Sequence, residues 1–571
     1  MQSLDDDALK LASQHGFATV VESRGDTPYA SLTGMDVLGA GASAHVMDDA
    51  IWRAATRICR RLAEPLSTSP AVRTCIRQIW LAEVIVPLLA GYSEGLEARD
   101  SVTPSLGDTA LIEPGVGGQA FAAALGLPVL RPQQGEAPAP RSRKTLGSMP
   151  RPLDVLFVEL FAYRLVNLSG VAKELRRRGH RVGLLSLARS PGEEMAHRVW
   201  ASSHDVAMHS WRWWATAAAG PVAAKAARIS PALLRQRMTV PRELEMFFET
   251  PLDGEIHRIA RRALVGRALK ALATHGLFES ALRHLKPRAV FTCRGDGPTL
   301  RALSLAGHAA GVPVVDVQHG RQNLLPPAGV AEIERAHFAF ASDHAGVVYR
   351  AQGVPADHIH LVGSVGFDAV MRGRDEATPY PFRYSVFSSC AATSTNVDQW
   401  NEATRVAAGA APPAVQHAYA LGALDRFLNA NPDHRVIVVL HPREDGTRTR
   451  DLVGALTNSD RFIVLDRANN GPLFAHARFH LSLGSTTSLE ATLVGTPAVV
   501  IEPLGHESYF DRAIELGAMQ RVSRLSELDD ALTRASTARF EQSEVVRSYA
   551  VSNDFKTVER LLEIPPLHGH L

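Results

Sequence analysis

The chain has 571 residues and a formal net charge of +2, with 61 basic residues nearly balanced by 59 acidic ones. This length predicts two or three domains rather than one core. The balanced charge argues against a nucleic-acid-binding protein, which usually carries a basic excess. The four cysteines show no Cys-x-x-Cys spacing, which argues against a disulfide framework or structural zinc site and favours a reducing cytoplasm.

Nothing in the sequence predicts a secretion signal or a membrane span. The N-terminus is acidic at Asp5, Asp6 and Asp7 and lacks a basic region followed by an apolar core. The longest apolar run, Ile79 to Tyr92, is too short to cross a bilayer. We expect a cytoplasmic protein; peripheral contact with the inner membrane and the oligomeric state stay open.

Residues 1–131 are predicted to form a mostly helical N-terminal module. Apolar residues recur at helical spacing from Asp48 to Leu62 and from Val72 to Leu89. Residues 132–152 are rich in proline and charge and predict a linker. Gly115 to Ala120 fits G-x-G-x-x-A, but the short helix after it and the lack of a clear downstream acid argue against a dinucleotide site.

A first α/β series is predicted over residues 153–372. Helices are expected at Val166–Arg178 and Thr299–Ala310, and residues 195–280 are expected to be rich in helix. Strands are expected at Leu153–Val158, Arg181–Leu187, Ala289–Cys293, Val312–Val317, His337–Ala341 and His360–Gly363. Strands that alternate with helices imply a parallel sheet.

A second α/β series is predicted over residues 384–540, after a polar hinge at 373–383, and a helical segment over 541–571 ends the chain. The strands are expected at Tyr384–Ser389, Arg435–Leu440, Phe462–Leu465, Phe479–Leu483 and Ala498–Ile501. The predicted fold class is therefore α/β, with two doubly wound parallel-sheet domains that face a cleft. Such sheets bind ligands at the carboxyl ends of their strands.

The turn at Gly484, Ser485 and Thr486 precedes a helix of small residues and is the first candidate site. Backbone N–H groups and hydroxyls at a helix N-terminus favour phosphate, and Gly484 lets a ligand approach the backbone. Thr487 and Glu490 fit a capping box, which explains both residues without a ligand. We assign phosphate binding to Gly484, Ser485 and Thr486, with Thr487 as a weaker member.

Two more strand ends are expected beside this turn. His441-Pro442-Arg443 follows a buried strand, and proline ends the ladder there. His441 and Arg443 would donate to phosphate oxygens; the alternative is a histidine that only satisfies the loop. Ser388 ends the first strand of the second series and would either reach the same phosphate or stabilise a turn.

The first series offers the candidate catalytic residues. Asp296 lies between two glycines after a strand and would act as general base for an acceptor hydroxyl; the alternative is an aspartate that caps the next helix. His319 follows the strand at Val312–Val317, with Gln318 and Gly320 on either side, and is expected at the mouth of the sheet. A loop held by side-chain hydrogen bonds is the alternative for this segment.

These motifs resemble those of GT-B glycosyltransferases over about residues 150–540. The pair of His441-Pro442 and Ser485-Thr486 is similar to the His-Pro and Ser-Ser/Ser-Thr motifs of bacterial sialyltransferases and polysialyltransferases, which bind the donor nucleotide. Those families hold their base in an acidic-acidic-Gly motif, of which Asp296 keeps one acid. The segment around His319 is similar to one in capsule and teichoic-acid polymer transferases. Residues 484–497 resemble the UDP-binding half of hydrolysing UDP-GlcNAc 2-epimerases.

The sequence thus predicts a glycosyltransferase that moves a sugar from a CMP- or UDP-activated donor to a surface polysaccharide or glycoconjugate acceptor. No metal site and no bound cofactor are expected, because a helix N-terminus with His and Arg can stabilise the leaving nucleotide. Two alternatives stay open. One is a sugar-nucleotide epimerase of similar architecture, and the other is a non-catalytic binding or scaffold subunit.

Overall fold

The computed structural model describes residues 19–22, 36–39, 58–59, 61–62, 66, 76, 109–112, 129–130, 152–188, 190–236, 254–293, 298–318, 336–342, 346, 349–350, 354–378, 380–388, 413–441, 444, 446–502, 510–549 and 554–567. Contacts between residues divide the chain into two compact units. One comprises residues 1–150, 217–276 and 394–412, and the other residues 151–216, 277–393 and 413–571.

The first unit contains a parallel sheet in the N-terminal region. Its four strands are β1 (Thr19–Glu22), β2 (Asp36–Gly39), β3 (Thr109–Ile112) and β4 (Val129–Leu130), in the order β2-β1-β3-β4. Helical periodicity did not predict these strands, although described residues in both predicted helical segments are helical. The motif at 115–120 and the linker up to residue 151 lie outside the described residues.

The second unit contains two larger parallel sheets. The strands of the first are β5 (Val155–Glu159), β6 (Val182–Ser186), β7 (Ala207–Ser210), β8 (Ala289–Thr292), β9 (Val314–Val317), β10 (His337–Phe340) and β11 (Ile359–Leu361). Their order is β11-β10-β9-β8-β5-β6-β7. The strand order reverses between β5 and β8, which makes this edge the switch point of a doubly wound sheet.

The second sheet repeats this plan with six strands. They are β12 (Arg383–Ser388), β13 (His434–Val439), β14 (Phe462–Leu465), β15 (His480–Ser482), β16 (Ala498–Ile501) and β17 (Met519–Val522). Their order is β14-β13-β12-β15-β16-β17, so the switch point lies between β12 and β15. The two doubly wound parallel sheets confirm the predicted α/β fold of the GT-B type.

Helices connect the parallel strands, as crossovers require. The described helices are α1 (Val166–Arg177), α2 (Pro191–Ser203), α3 (Trp211–Gln236), α4 (Gly254–Leu285), α5 (Pro298–Ala310), α6 (Val365–Gly373), α7 (Pro413–Ala430), α8 (Thr447–Gly454), α9 (Asn470–Ala475), α10 (Thr487–Leu493), α11 (Asp511–Glu515), α12 (Leu528–Ala535), α13 (Gln542–Tyr549) and α14 (Thr557–Leu562). The stretch predicted to be rich in helix, residues 195–280, holds most of α2, all of α3 and most of α4. Trp214 is fully buried there and packs in the interior.

The end of the chain packs against both sheets of the second unit. On α13, Val545 and Tyr549 join a core cluster that also contains Leu489 of α10. On α14, Leu561 and Leu562 join the core of the first sheet. The C-terminal helices therefore tie the two sheets together through buried apolar contacts.

Candidate active site

The switch point of the second sheet brings three candidate strand ends into one row. Ser388 at the end of β12 is in register with Val439 on β13 and with Ser482 on β15. His441 and Gly484 each follow this row by two residues. Neighbouring strands lie about 4.8 Å apart, so the row from β13 to β15 spans about 10 Å.

A tight turn at Gly484 leads from β15 into α10. Gly484 has φ 73°, a left-handed conformation that disfavours residues with a Cβ. The Ser485 amide donates to Ser482 Oγ at 3.1 Å, and the Thr487 amide donates to Ser485 Oγ at 3.3 Å. Side chains of the turn therefore fold back and fix its backbone.

The expectation of free amides at the start of α10 is wrong for most of the turn. Besides the two amides above, the Ser488 amide donates to Ser485 O, and the Leu489 and Glu490 amides donate to Thr486 O, at 2.9 to 3.2 Å. The helix also has only seven residues. Ligand binding at this turn therefore has to rest on side chains more than on the helix dipole.

The predicted capping box is also wrong. The residue that precedes α10 is Thr486, with helical φ −57° and ψ −24° and no side-chain capping bond. Glu490 accepts a hydrogen bond from Asn470 Nδ2 at 2.6 Å instead, and burial raises its pKa to about 6. Thr487 Oγ1 is buried and has no hydrogen-bond partner among the described residues. A buried hydroxyl without a partner is costly, so a ligand oxygen would stabilise it.

Ser388, at the carboxyl end of β12, contacts a buried histidine on the neighbouring strand β15. Ser388 Oγ is 2.8 Å from His480 Nε2, and His480 Nδ1 is 3.3 Å from Ser488 Oγ. Burial lowers the pKa of His480 to about 3, so its ring is neutral. Sequence reasoning missed His480, although a histidine within the apolar strand Phe479–Leu483 was a usable signal.

His441 is half-buried in the loop after β13. Its amide donates to Glu444 Oε2 at 2.9 Å, and the Glu444 amide donates to His441 O at 2.8 Å. The His441 ring contacts Tyr163 edge-on, with centroids 6.2 Å apart. Tyr163 lies in the 3-10 turn that follows β5, so the strand ends of the two sheets meet at this contact. Pro442 and Arg443 lie outside the described residues.

Glu159 occupies the switch point of the first sheet. Its side chain is fully buried at the end of β5. Oε1 accepts the Cys293 amide at 2.5 Å, and Oε2 accepts the Leu160 amide at 3.2 Å. Glu159 thus joins the ends of β5 and β8. Its buried carboxylate therefore has a structural role at this edge.

Tyr163 and Arg164 are further residues at this edge that sequence reasoning missed. Arg164 Nη1 donates to Cys293 O at 3.1 Å, and its Nε donates to the Tyr163 hydroxyl at 3.2 Å. These bonds hold Cys293, at the end of β8, close to the turn after β5. Asp296 lies outside the described residues.

The strand before His319 also ends in buried polar residues. Asp316 is in register with Thr292 on β8 and is buried. Gln318 Oε1 accepts the Ala341 amide at 2.9 Å, so this side chain joins β9 to the end of β10. His319 itself lies outside the described residues.

The described residues contain neither a cluster of metal ligands nor a helix that could span a membrane. No three histidine, cysteine or acidic side chains there are arranged to hold a metal ion. Within the same residues, none of the helices combines the length and the apolar character that a bilayer crossing needs.

No protein-family model matches this chain, and no curated protein sequence matches it significantly. Solved structures resemble it in fold. A putative UDP-N-acetylglucosamine 2-epimerase from Listeria monocytogenes shares 11% identity over 73% of this chain and 97% of its own, with a TM-score of 0.48. The Neisseria meningitidis UDP-GlcNAc 2-epimerase bound to UDP-GlcNAc shares 13% over 72% and 100%, with a TM-score of 0.43. A Rickettsia africae glycosyltransferase shares 10% over 72% and 97%, with a TM-score of 0.42. What this chain binds has to be argued from its own residues.

Proposed function

We propose that this protein is a glycosyltransferase that uses a nucleotide-activated sugar, with a CMP- or UDP-sugar as donor and a surface polysaccharide or glycoconjugate as acceptor. The observation that carries the proposal is the row of polar strand ends at the second switch point. Ser388 is the last residue of β12, and His441 and the Ser485–Thr487 turn come two and three residues after the positions on β13 and β15 that are in register with it. Open α/β sheets bind ligands at such an edge.

The donor phosphate would be bound by side-chain donors in this edge. Ser485 Oγ accepts the Thr487 amide, which leaves the Ser485 proton to be given to a phosphate oxygen. The Thr487 hydroxyl is already dehydrated and lacks a partner among the described residues, so a phosphate would gain a hydrogen bond at little further cost. His441 and Arg443 would add charge-assisted bonds from the neighbouring strand end.

The acceptor hydroxyl would approach from the first sheet. Glu159 and Arg164 both bind the backbone of Cys293 at the end of β8. We assign Asp296, three residues further along the chain, as general base. His319 is the second residue that we assign to this side. The main catalytic contribution would be stabilisation of charge on the departing nucleotide.

The test is to incubate the protein with CMP- and UDP-sugars, alone and with a panel of glycan acceptors, and to follow products by mass spectrometry. We expect sugar to appear on an acceptor, with release of the nucleotide. Conversion of the donor to a new sugar without an acceptor would contradict the transferase and favour the epimerase. Donor binding without turnover across the panel would favour a non-catalytic subunit.

A further inference from the structure

A continuous chain of hydrogen bonds joins the Gly484 turn to Ser388 through the protein interior. The Ser485 amide is 3.1 Å from Ser482 Oγ, and Ser482 Oγ is 2.7 Å from Ser488 Oγ. Ser488 Oγ is 3.3 Å from His480 Nδ1, and His480 Nε2 is 2.8 Å from Ser388 Oγ. The three middle members are fully buried, and Ser388 is 6% exposed.

The first member and the burial of the serine hydroxyls together favour one direction for the later bonds. A backbone amide can only donate, so Ser482 Oγ accepts from Ser485. Either hydroxyl can donate in the contact between Ser482 and Ser488. Donation from Ser482 is the favourable direction, because the reverse would leave its buried proton without an acceptor among the described residues. Ser488 in turn gives its proton to His480 Nδ1, and this leaves Nε2 as the protonated ring nitrogen.

The neutral state of His480 agrees with this direction. Burial lowers its pKa to about 3, so near neutral pH the ring carries one proton. A neutral imidazole has one donor nitrogen and one acceptor nitrogen. With Nδ1 as the acceptor, Nε2–H donates to Ser388 Oγ, and the Ser388 proton is not used within the chain of hydrogen bonds.

We propose that His480 is a positioning residue that donates to Ser388 Oγ and so directs the Ser388 proton to a phosphate oxygen of the nucleotide-sugar donor. This inference rests on the proposed function. Ser388 lies at the end of β12, beside the switch point, and its hydroxyl would act on the ligand. His480 would act only through Ser388 and through the turn that contains Ser485.

The same sheet contains a matched control pair. Ser385 Oγ is 2.9 Å from His434 Nε2, both residues are buried, and burial lowers the pKa of His434 to about 4. Because side chains alternate along a strand, Ser385 lies on the opposite face of β12 from Ser388. His434 Nδ1 has no partner among the described residues, so this pair ends there and does not reach the switch point.

The first experiment measures binding of UDP, GDP, CDP and CMP by calorimetry to the wild type and its variants. For the nucleotide that binds best, S388A should weaken affinity about tenfold to a hundredfold, the loss of one charge-assisted bond. H480N should weaken it similarly, because the shorter amide reaches Ser488 but not Ser388. H480Q should retain more affinity, because its amide reaches the former Nε2 position.

A double-mutant cycle between Ser388 and His480 distinguishes a positioning role of His480 from general destabilisation of the protein. The double variant S388A/H480N should bind no more weakly than S388A alone, since both changes remove the same bond. Fully additive losses, or wild-type affinity in H480N, would overturn the proposal. H434N should lower the melting temperature without weakening binding; a loss equal to that of H480N would also overturn it.

A second measurement needs no ligand. Nitrogen-15 NMR of histidine-labelled protein, with the His480 signal assigned by its loss in H480N, should show the neutral Nε2–H form between pH 6 and 8. The Nδ1–H form would overturn the proposal whatever the binding data show. An Nε2–H signal in a wild type that binds none of the four nucleotides would contradict the proposed function and the phosphate assignment, while the direction of the hydrogen bonds would stand.

Discussion

Thr487 shows how single side chains decide what the second switch point can do. Its hydroxyl is buried without a partner among the described residues, whereas the neighbouring amides are already bonded within the turn. The sequence predicted the opposite distribution, with free amides and a capping threonine. The turn is still the strongest phosphate candidate, but hydroxyl side chains now support it better than the amides do.

His441 provides a test of donor binding at the residue scale. We expect H441A to weaken donor affinity about tenfold to a hundredfold, because a hydrogen bond to a charged phosphate is lost. Thermal unfolding should change little, since the backbone bonds with Glu444 do not involve the imidazole. Calorimetry measures the donor affinity of H441A, and a melting curve measures its stability. Full activity in H441A would remove this residue from the site.

Asp296 provides a test of catalysis at the same scale. We expect D296N to lower kcat about a hundredfold or more, because an amide cannot accept the acceptor proton. Donor affinity should stay within about twofold of the wild type, since donor and acceptor are assigned to different sheets. Steady-state kinetics with the transferred sugar measure both values. Unchanged turnover would assign the base elsewhere, with His319 as the next candidate.

At the scale of elements, the sequence predicted most strands of the two larger sheets, which carry apolar runs, and missed the N-terminal sheet and two edge strands. Buried strands such as β8 and β16 begin within a residue of their predicted positions. β7 was missed because Ala207–Ser210 is an edge strand with no apolar run and with exposed or half-exposed residues. His480 was missed because its role depends on Ser388 and Ser488, whose proximity only the sheet order creates.

The left-handed conformation of Gly484 predicts how the turn between β15 and α10 contributes to stability and to donor binding. G484A should destabilise the protein by about 1–2 kcal/mol, because a Cβ disfavours the left-handed conformation. It should also weaken donor binding, since the turn places Ser485. G517A is the matched control. Gly517 has φ 70°, and an added Cβ would meet no other atom. It lies near the amino end of β17, away from the Gly484 turn.

Denaturant unfolding and nucleotide calorimetry of both glycine variants provide the measurement. We expect similar losses of stability in the two variants and weaker binding in G484A only. Equal donor affinity in both variants would mean that the conformation of the turn has no part in binding.

At the scale of the whole molecule, buried histidines should make folding sensitive to acid. Burial lowers the pKa of His337 and His434 to about 4 and of His480 to about 3. The unfolded chain, with histidine pKa values near 6.5, binds more protons below that pH. The free energy of unfolding is therefore highest above pH 6.5 and falls as the pH drops towards 4.

Glu490 works in the opposite direction over part of this range. Its pKa is raised to about 6, so between about pH 4.5 and 6 the folded state holds a proton that the unfolded state releases. From these four groups the unfolded chain binds about two more protons than the folded one there, and this difference makes the free energy of unfolding fall as the pH drops. Denaturant unfolding between pH 4 and 8 measures the slope, and H434N should reduce it by about one proton. A flat profile would contradict the buried neutral histidines.

The central claim is that the carboxyl edge of the second sheet binds a nucleotide-activated sugar. Its most direct test is calorimetric titration of CMP-, UDP-, GDP- and CDP-activated sugars into the wild type, S485A/T486A and S536A/T537A. The last variant alters a hydroxyl pair that follows α12. The Ser536 carbonyl accepts a hydrogen bond from Arg478, which precedes β15 at the amino edge of the same sheet. We predict that at least one donor binds the wild type and S536A/T537A equally well, and binds S485A/T486A at least tenfold more weakly. No binding to the wild type, or equal binding to all three proteins, would contradict the claim.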